Sequence, residues 1–357
     1  MSQKFAFTSA AMAAALEDTP VSYEDLADIE REFDDAETEI SEYITMPYIS
    51  PSSPGHIDHK KRRWNSANDF PLLITVRQQV ALTQPLYQRR ASTISQIPNF
   101  WPLVLEQAPP DIDQYIQPSD SALLLSSLTS VEVEHFEIRA EGGDPRSVAI
   151  RFGFAPNEYF ADATLEKRFW YRRARDGWAG LVSEPVPIEW KKDRDLTGGL
   201  LGMVCAAWET ETGRGREREE AGKGREGKRR GMSEEQRALK KKIDNTGMGG
   251  LSFFAWFGFI GRRVSAEESA EVVGLERERK GKKLPLEVAT EGEEEDGAEE
   301  DIGMSLEIFP DGDDLAVAIT EDLWPSAIKY FSKLSRPRCH SHALTLHSSS
   351  TRTRCPL

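Results

Sequence analysis

VSYEDLADIEREFDDAETEI, residues 21–40, is the stretch whose reading decides the fold. It predicts a helix. Ser22 is a plausible N-cap, and Asp25, three residues on, completes the pattern of a capping box. Leu26, Phe33 and Ile40 recur every seven residues with Ile29 and Ala36 between them, the a/d seam of a coiled coil. Almost every other position is Asp or Glu, and Arg31 is the lone base.

Downstream the pattern breaks. Residues 41–75 hold Pro47, Pro51, Pro54, Pro71 and the basic run KKRR, with no helical period, so they cannot continue the helix. A second helical stretch runs from Val76 to about Gln96, and excising 41–75 puts Leu82 seven positions after Ile40. Thirty-five residues are five heptads, so the phase agrees with or without them; the prolines, not the register, exclude the segment. Either 41–75 loops out of one long helix or it is translated intron sequence. Burying Leu26, Ile29, Phe33, Ile40 and Leu82 is worth about 1.5–3 kcal/mol each. If the helix stands free, a partner helix is the natural cover, and the alternative is packing on the chain's own body.

Ile97-Pro98-Asn99-Phe100-Trp101 ends the second helix, and short helices and loops are expected over 102–128. A β section follows. VEVEHFEI (131–138) and SVAIRFGF (147–154) alternate and are joined by the turn residues GGDP (142–145), which makes them a hairpin. LEKRFWYRR (165–173) and PVPIEW (185–190) read as third and fourth strands. An antiparallel meander with helices to one side is an α+β layer.

The predicted organisation is a tail at 1–20, a helical region at 21–97 interrupted at 41–75, and a sheet-bearing body at 98–204. A basic low-complexity linker follows at 205–250. Residues 251–331 form a helical part, with an acidic insertion at about 275–305 that contains EGEEED (291–296), and 332–357 is a basic tail. SFFAWF (252–257) is dense in aromatics and returns to the core, and Asp322-Leu323-Trp324-Pro325 opens a last helical stretch through Phe331. The weakly apolar run Ala10 to Leu16 reads as mobile tail rather than leader.

Composition narrows the function. A formal net charge of -15 disfavours a general nucleic-acid binder and suits a cationic partner. KKRR (60–63), the 214–230 cluster and Lys240 to Lys242 are the exceptions. They could act in nuclear import or in a weak DNA contact, although acids are interleaved through 209–235. Cys205, Cys339 and Cys355 make no disulfide framework and fit a reducing compartment. The apolar runs at 198–208 and 249–261 fall short of the roughly 20 residues a membrane span needs. Only His135 of the six histidines lies in a predicted folded stretch, with no nucleophile signature beside it. GKGREGK (222–228) has phosphate-loop spacing, but Arg229 stands where Ser or Thr must hold magnesium. Cys339, His340, His342 and Cys355 match no structural zinc spacing. No enzyme, cofactor or metal is expected.

Six stretches in order resemble the nucleosome assembly protein family, its SET-like branch in particular: QPLYQRRASTISQIPNFW (84–101), LTSVEVEHFEI (128–138), RFGFAPNEYF (151–160), IEWKKDRDLT (188–197), SFFAWF (252–257) and EDLWPSAIKYF (321–331). The resemblance implies a long dimerisation helix, an "earmuff" domain of antiparallel sheet and helices, and a homodimer whose acidic concave side binds core histones in the nucleus, with shuttling to the cytoplasm. It also implies service as an acetyltransferase cofactor or phosphatase inhibitor. Asp195 and Thr197 match the family's DLT segment near the histone-facing surface, and Glu158 and Asp162 lie in the matching NEYFAD region. SET-like chains end in an acidic tail. This one ends in SRPRCHSHALTLHSSSTRTRCPL, which reads as read-through or frame-shifted sequence.

Overall fold

The computed structural model describes residues 16, 19–45, 69–140, 142–220, 232–246, 250–282 and 306–333. The acidic stretch is helical, as expected, but the helix, Tyr23–Thr45 (α1), runs five residues into the segment expected to break it, because the first proline there is Pro47. Its cap forms as read: the Ser22 amide donates to Asp25 Oδ2 (2.8 Å) and the Asp25 amide to Ser22 Oγ (3.2 Å). The second helix, Asp69–Ile94 (α2), starts seven residues before Val76 and accommodates Pro85. Much of the expected insertion, 46–68, lies outside the described residues.

These helices do not form one rod. The Phe33 ring lies 4.8 Å from that of Tyr87, Glu32 is paired with Arg89, and Glu30 feels the charge of Arg90. Rising numbers on α1 meet falling numbers on α2, so the pair is an antiparallel hairpin. In one continuous helix, even with 41–75 excised, Phe33 and Tyr87 would stand about 28 Å apart at 1.5 Å per residue. The seam therefore has intrachain cover, contrary to the free-standing reading. Leu26 and Ile29 are each 2% exposed within the main core. Ile40 is buried, and Phe33 and Leu82 are half-buried.

Asn99, at φ 56°, turns the chain into Phe100–Glu106 (α3). Pro110–Asp113 (α4) and Pro118–Ser127 (α5) follow. The sheet is a four-strand antiparallel meander of Leu128–Glu134 (β1), Val148–Phe154 (β2), Thr164–Arg173 (β3) and Ala179–Ser183 (β4). β1 stops short of the predicted 138, and the fourth strand lies upstream of 185–190. Pro185 and Pro187 have no N–H to give a ladder, so that segment keeps only a bridge between Phe160 and Trp190 and one bond from the Val186 amide to Phe257 O (2.9 Å).

Leu200–Glu220 (α6) and Glu234–Thr246 (α7) fold much of the predicted linker. Ser233 and Gln236 form a reciprocal capping box (2.8 and 3.1 Å), and Leu239 is 1% exposed, so α7 has an apolar face to bury. The SFFAWF return is a 3-10 turn, Phe253–Gly258, buried throughout. Phe152 on β2 meets Phe253, Trp256 and Phe257 edge-on, the preferred geometry for rings with a negative face and positive edge. Ala266–Lys282 (α8), Gly312–Ala318 (α9, continued by a π turn at Ile319–Leu323) and Ala327–Lys333 (α10) complete the described chain. Most of the predicted acidic insertion and the basic tail lie outside it. No helix among the described residues is long and apolar enough to cross a membrane.

Candidate functional site

Two long-range knots of buried charge hold the scaffold. Arg90, 2% exposed, donates Nη1 to Trp324 O (2.5 Å) and Pro325 O (3.2 Å). Its guanidinium carbon lies 4.7 Å from the Tyr87 ring centre and 4.8 Å from that of Trp324. Burial lowers its pKa to about 10. Trp324 also donates Nε1 to Val131 O (3.1 Å), so one cation ties α2, β1 and the C-terminal helices together. Lys167, fully buried, directs its three N–H bonds to Glu184 O (2.6 Å), Phe257 O (2.9 Å) and Phe259 O (2.7 Å), and burial pushes its pKa down to about 7. Glu307 grips the same turn from the amide side, accepting from Ile260 (3.0 Å) and Gly261 (3.1 Å). Opposite charges thus clamp carbonyls and amides of one segment, which fixes the return of residues 253–261 to the sheet.

The expected site residues fall in two neighbouring loops. The Ala161 amide donates to Glu189 O (2.9 Å), the Lys191 amide to Tyr159 O (2.7 Å), and Arg194 pairs with Glu158 at 3.6 Å. The fold thereby brings Glu158, Asp162 and the DLT segment together across some 30 residues. Their roles differ. The Glu158 side chain is 81% exposed. Asp162 is half-buried and accepts the Glu189 amide (2.8 Å). Asp195 accepts from the Thr197 amide (2.7 Å), the Thr197 hydroxyl (2.6 Å) and the Gly199 amide (2.9 Å). Thr197 is 3% exposed. The Asp195–Thr197 pair therefore shapes the turn into α6, and Thr197 presents no open hydroxyl to a partner.

Elsewhere exposed carboxylates gather on two surfaces. Between 23 and 40 α1 carries nine carboxylates and one arginine. Glu24, Asp28, Asp34, Asp35, Glu37 and Glu39 are exposed, and cations reach only part of the face: Arg31 on Asp28, Arg89 on Glu32, Lys329 on Asp34 (3.2 Å). A second concentration joins α4 to α9. The Tyr115 hydroxyl donates to Asp311 (3.3 Å); burial, then the charges of Asp311, Asp314 and Asp111, push its pKa up to about 12. Burial and then neighbouring Asp314 likewise raise Asp313. Sequence reasoning missed this patch, because its halves lie some 200 residues apart and neither is a charge run.

The chemistry of a reaction centre is sparse. His135 is a hairpin-end histidine whose Nδ1 meets Pro145 O at 2.7 Å. Burial pushes the half-buried Cys205 thiol up to about 11, away from the reactive thiolate. The cavity lined by Val204, Trp208, Gln236, Leu239 and Glu307 has about 10 Å³, room for one water. Among the described residues no three His, Cys, Asp or Glu side chains gather to hold a metal ion.

Fold and composition together define an acidic α+β protein. The chain belongs to the nucleosome assembly protein family, whose profile matches residues 60–334 of its 357. It is 39% identical over 132 residues to a nucleosome assembly protein of Schizosaccharomyces pombe, covering 34% of this chain and 52% of that one. It is 32% identical over 115 residues to vacuolar protein sorting-associated protein 75 of Saccharomyces cerevisiae (31% and 43% covered), and 31% over 122 residues to Protein SET of Drosophila melanogaster (34% and 43%). The chain thus spans about half the length of these relatives. A crystal structure of Vps75 is similar over 75% of this chain and 93% of that one, at 22% identity and TM-score 0.45.

Proposed function

We propose that this protein is a histone chaperone: it binds core histones through acidic surface, without doing chemistry on them, and acts in nucleosome assembly and chromatin organisation. The observation that carries this reading is the carboxylate face of α1, nine acids against one arginine on a helix whose apolar side is already occupied. Such a face cannot shed its self-repulsion by folding; a strongly cationic protein relieves it. The α4–α9 patch and Glu158 add to the same field, and the family's name supports the cargo. A task on chromatin implies residence in the nucleus, with passage through the cytoplasm when carrying new histones. The protein acts as a homodimer, and an acetyltransferase partner and a weak DNA contact through the 214–230 cluster and Lys240 to Lys242 belong to the same reading.

Titration of fluorescent core histones tests this. Binding should weaken by at least about tenfold as salt rises from 0.1 to 0.5 M, because the Debye length shrinks from about 10 Å to under 5 Å. A protein that ignores histones, or prefers duplex DNA at moderate salt, overturns it.

A further inference from the structure

We propose that α8 is a latched acidic arm: it is held on the β3–β4 hairpin by charge rather than by apolar burial, and the cationic cargo draws it off by offering its carboxylates other partners. The proposal rests on the chaperone reading above and names a further surface, and a movement, through which the cargo is taken.

Apolar burial fixes the other long helices. Leu26 and Ile29 anchor α1, Ile94 α2, Leu123 α5, Val204 α6 and Leu239 α7, each at most 5% exposed. Among the described residues, α8 is the one helix longer than seven residues that puts no large apolar side chain in the core. Val272 and Val273 are half-buried, Leu275 is 49% exposed, and the residue α8 buries is Ser269. What holds it is polar. Residues 266–276, its first three turns, carry four carboxylates and no base. Arg173 and Arg175, at the end of β3 and just beyond it, stand opposite. Glu276 pairs with Arg173 (2.9 Å) and Glu271 with Arg175 (2.6 Å). The Arg173 amide donates to Ser269 Oγ (3.0 Å) and the Arg175 amide to Glu268 Oε1 (3.3 Å).

Such a latch opens to competition. The Arg175 and Glu271 side chains are 70% and 53% exposed, so a foreign cation reaches Glu271 before α8 moves. A solvated ion pair shifts an equilibrium by no more than about fivefold, and its members exchange partners readily. The inner pair differs. The Arg173 side chain is only 11% exposed and is uncovered only when α8 lifts. The pivot is marked as well. Val264 is 8% exposed. Arg262 is held by Asp176 (2.8 Å), with its guanidinium carbon 5.4 Å from the Trp178 ring centre. The chain is therefore fixed as far as Val264, and α8 swings from Ser265, whose hydroxyl accepts the Glu268 amide (3.1 Å). A strongly cationic protein brings many competing charges at once, so it gains the four carboxylates of the arm in addition to the face of α1.

Arginine labelling tests the arm. The full chain is treated with phenylglyoxal, and modification of Arg173 is followed by peptide mass spectrometry. Poly-L-lysine, which has no arginine to consume the reagent, serves as the cationic probe. At about 0.1 M salt, where charges act across about 10 Å, saturating poly-L-lysine should speed Arg173 labelling at least about fivefold. Glu271→Gln plus Glu276→Gln should do the same without the probe. Amide exchange over β2 and β3 should stay slow in both cases, which separates a lifted arm from an opened sheet. The double variant should also bind fluorescent core histones about two- to threefold more weakly than the parent, because the arm has lost two of its charges. Arg173 left shielded in either labelling experiment overturns the proposal, and so does exchange that quickens throughout the sheet. Histone binding by the unaltered protein is read separately. A chain that binds histones while Arg173 stays shielded sinks the arm alone. One that uncovers Arg173 for poly-L-lysine but ignores histones sinks the chaperone reading alone.

Discussion

Phe33 on α1 and Tyr87 on α2 hold their rings 4.8 Å apart at 46°. That contact converts two helical segments, separated by a proline-rich stretch, into an antiparallel pair, and Tyr87 passes it on by stacking at 3.9 Å on Trp324. The acidic helix is thereby fastened to the C-terminal helices of the body.

Phe33→Asp puts a carboxylate beside Tyr87 in a half-buried site. It should lower stability by about 2 kcal/mol and loosen α1, read as a drop in the urea midpoint together with faster amide exchange over 23–40. An unchanged midpoint means that α1 does not dock through this ring.

Arg90→Lys keeps the charge but loses the planar stack on Tyr87 and Trp324. Because a lysine cannot reproduce that geometry, the cost should be about 2–4 kcal/mol. Arg90→Met, with no charge to desolvate, should cost less than Arg90→Lys. Equal melting temperatures for all three proteins would show that the cage is idle.

Lys167→Met removes the shared donor of three carbonyls; Phe257 O keeps the Val186 amide and Glu184 O the Ser183 hydroxyl (3.3 Å), so the loss falls chiefly on Phe259 O. At about 1–3 kcal/mol for a stranded buried polar group, the loss should be about 2 kcal/mol. The same change should raise quenching accessibility of Trp256, which is fully buried beside that turn; a variant as stable and as shielded as the parent refutes the clamp.

Glu158 and Asp195 should separate. Glu158→Gln removes an 81% exposed charge, weakening histone binding by up to about threefold without moving the melting temperature. Asp195→Ala strips three donors of their acceptor and should cost about 1–2 kcal/mol. If Glu158→Gln destabilises while Asp195→Ala does not, the two roles have been reversed.

His135 sets an acid limb. Burial holds its pKa below 6.5, against a smaller upward pull from the hydrogen bond to Pro145 O. The unfolded chain takes up a proton near 6.5 while the folded one does so only at lower pH, so stability falls as pH drops from about 6.5 through the folded pKa. His135→Gln should flatten that limb in denaturation curves taken between pH 7 and 5. Identical slopes for both proteins exclude His135 as the cause.

Local signals were the legible ones. The Ser22–Asp25 box, the two-residue alternation of 148–154 and the aromatic density of 252–257 each specify an element through contacts a few residues apart, and each forms. PVPIEW, expected as a strand, forms only a bridge at Trp190, because its two prolines cannot donate to a ladder. The folding of α7 was written in Ser233 and Gln236 but hidden by the charge around them. Nothing marked Arg90 or Lys167 as buried, since a lone base looks the same in solvent and in a cage of carbonyls and rings.

By itself, the sequence determined an acidic α+β chain with an amphipathic first helix, because periodicity, capping and net charge are properties of neighbouring residues. Only the tertiary structure decided what lies against that helix. The heptad seam names residues that seek cover without naming the cover. The choice between one rod and a hairpin depends on Tyr87, Arg90 and Trp324 meeting from positions up to 237 residues apart, through contacts whose energy exists only once the chain has closed on itself.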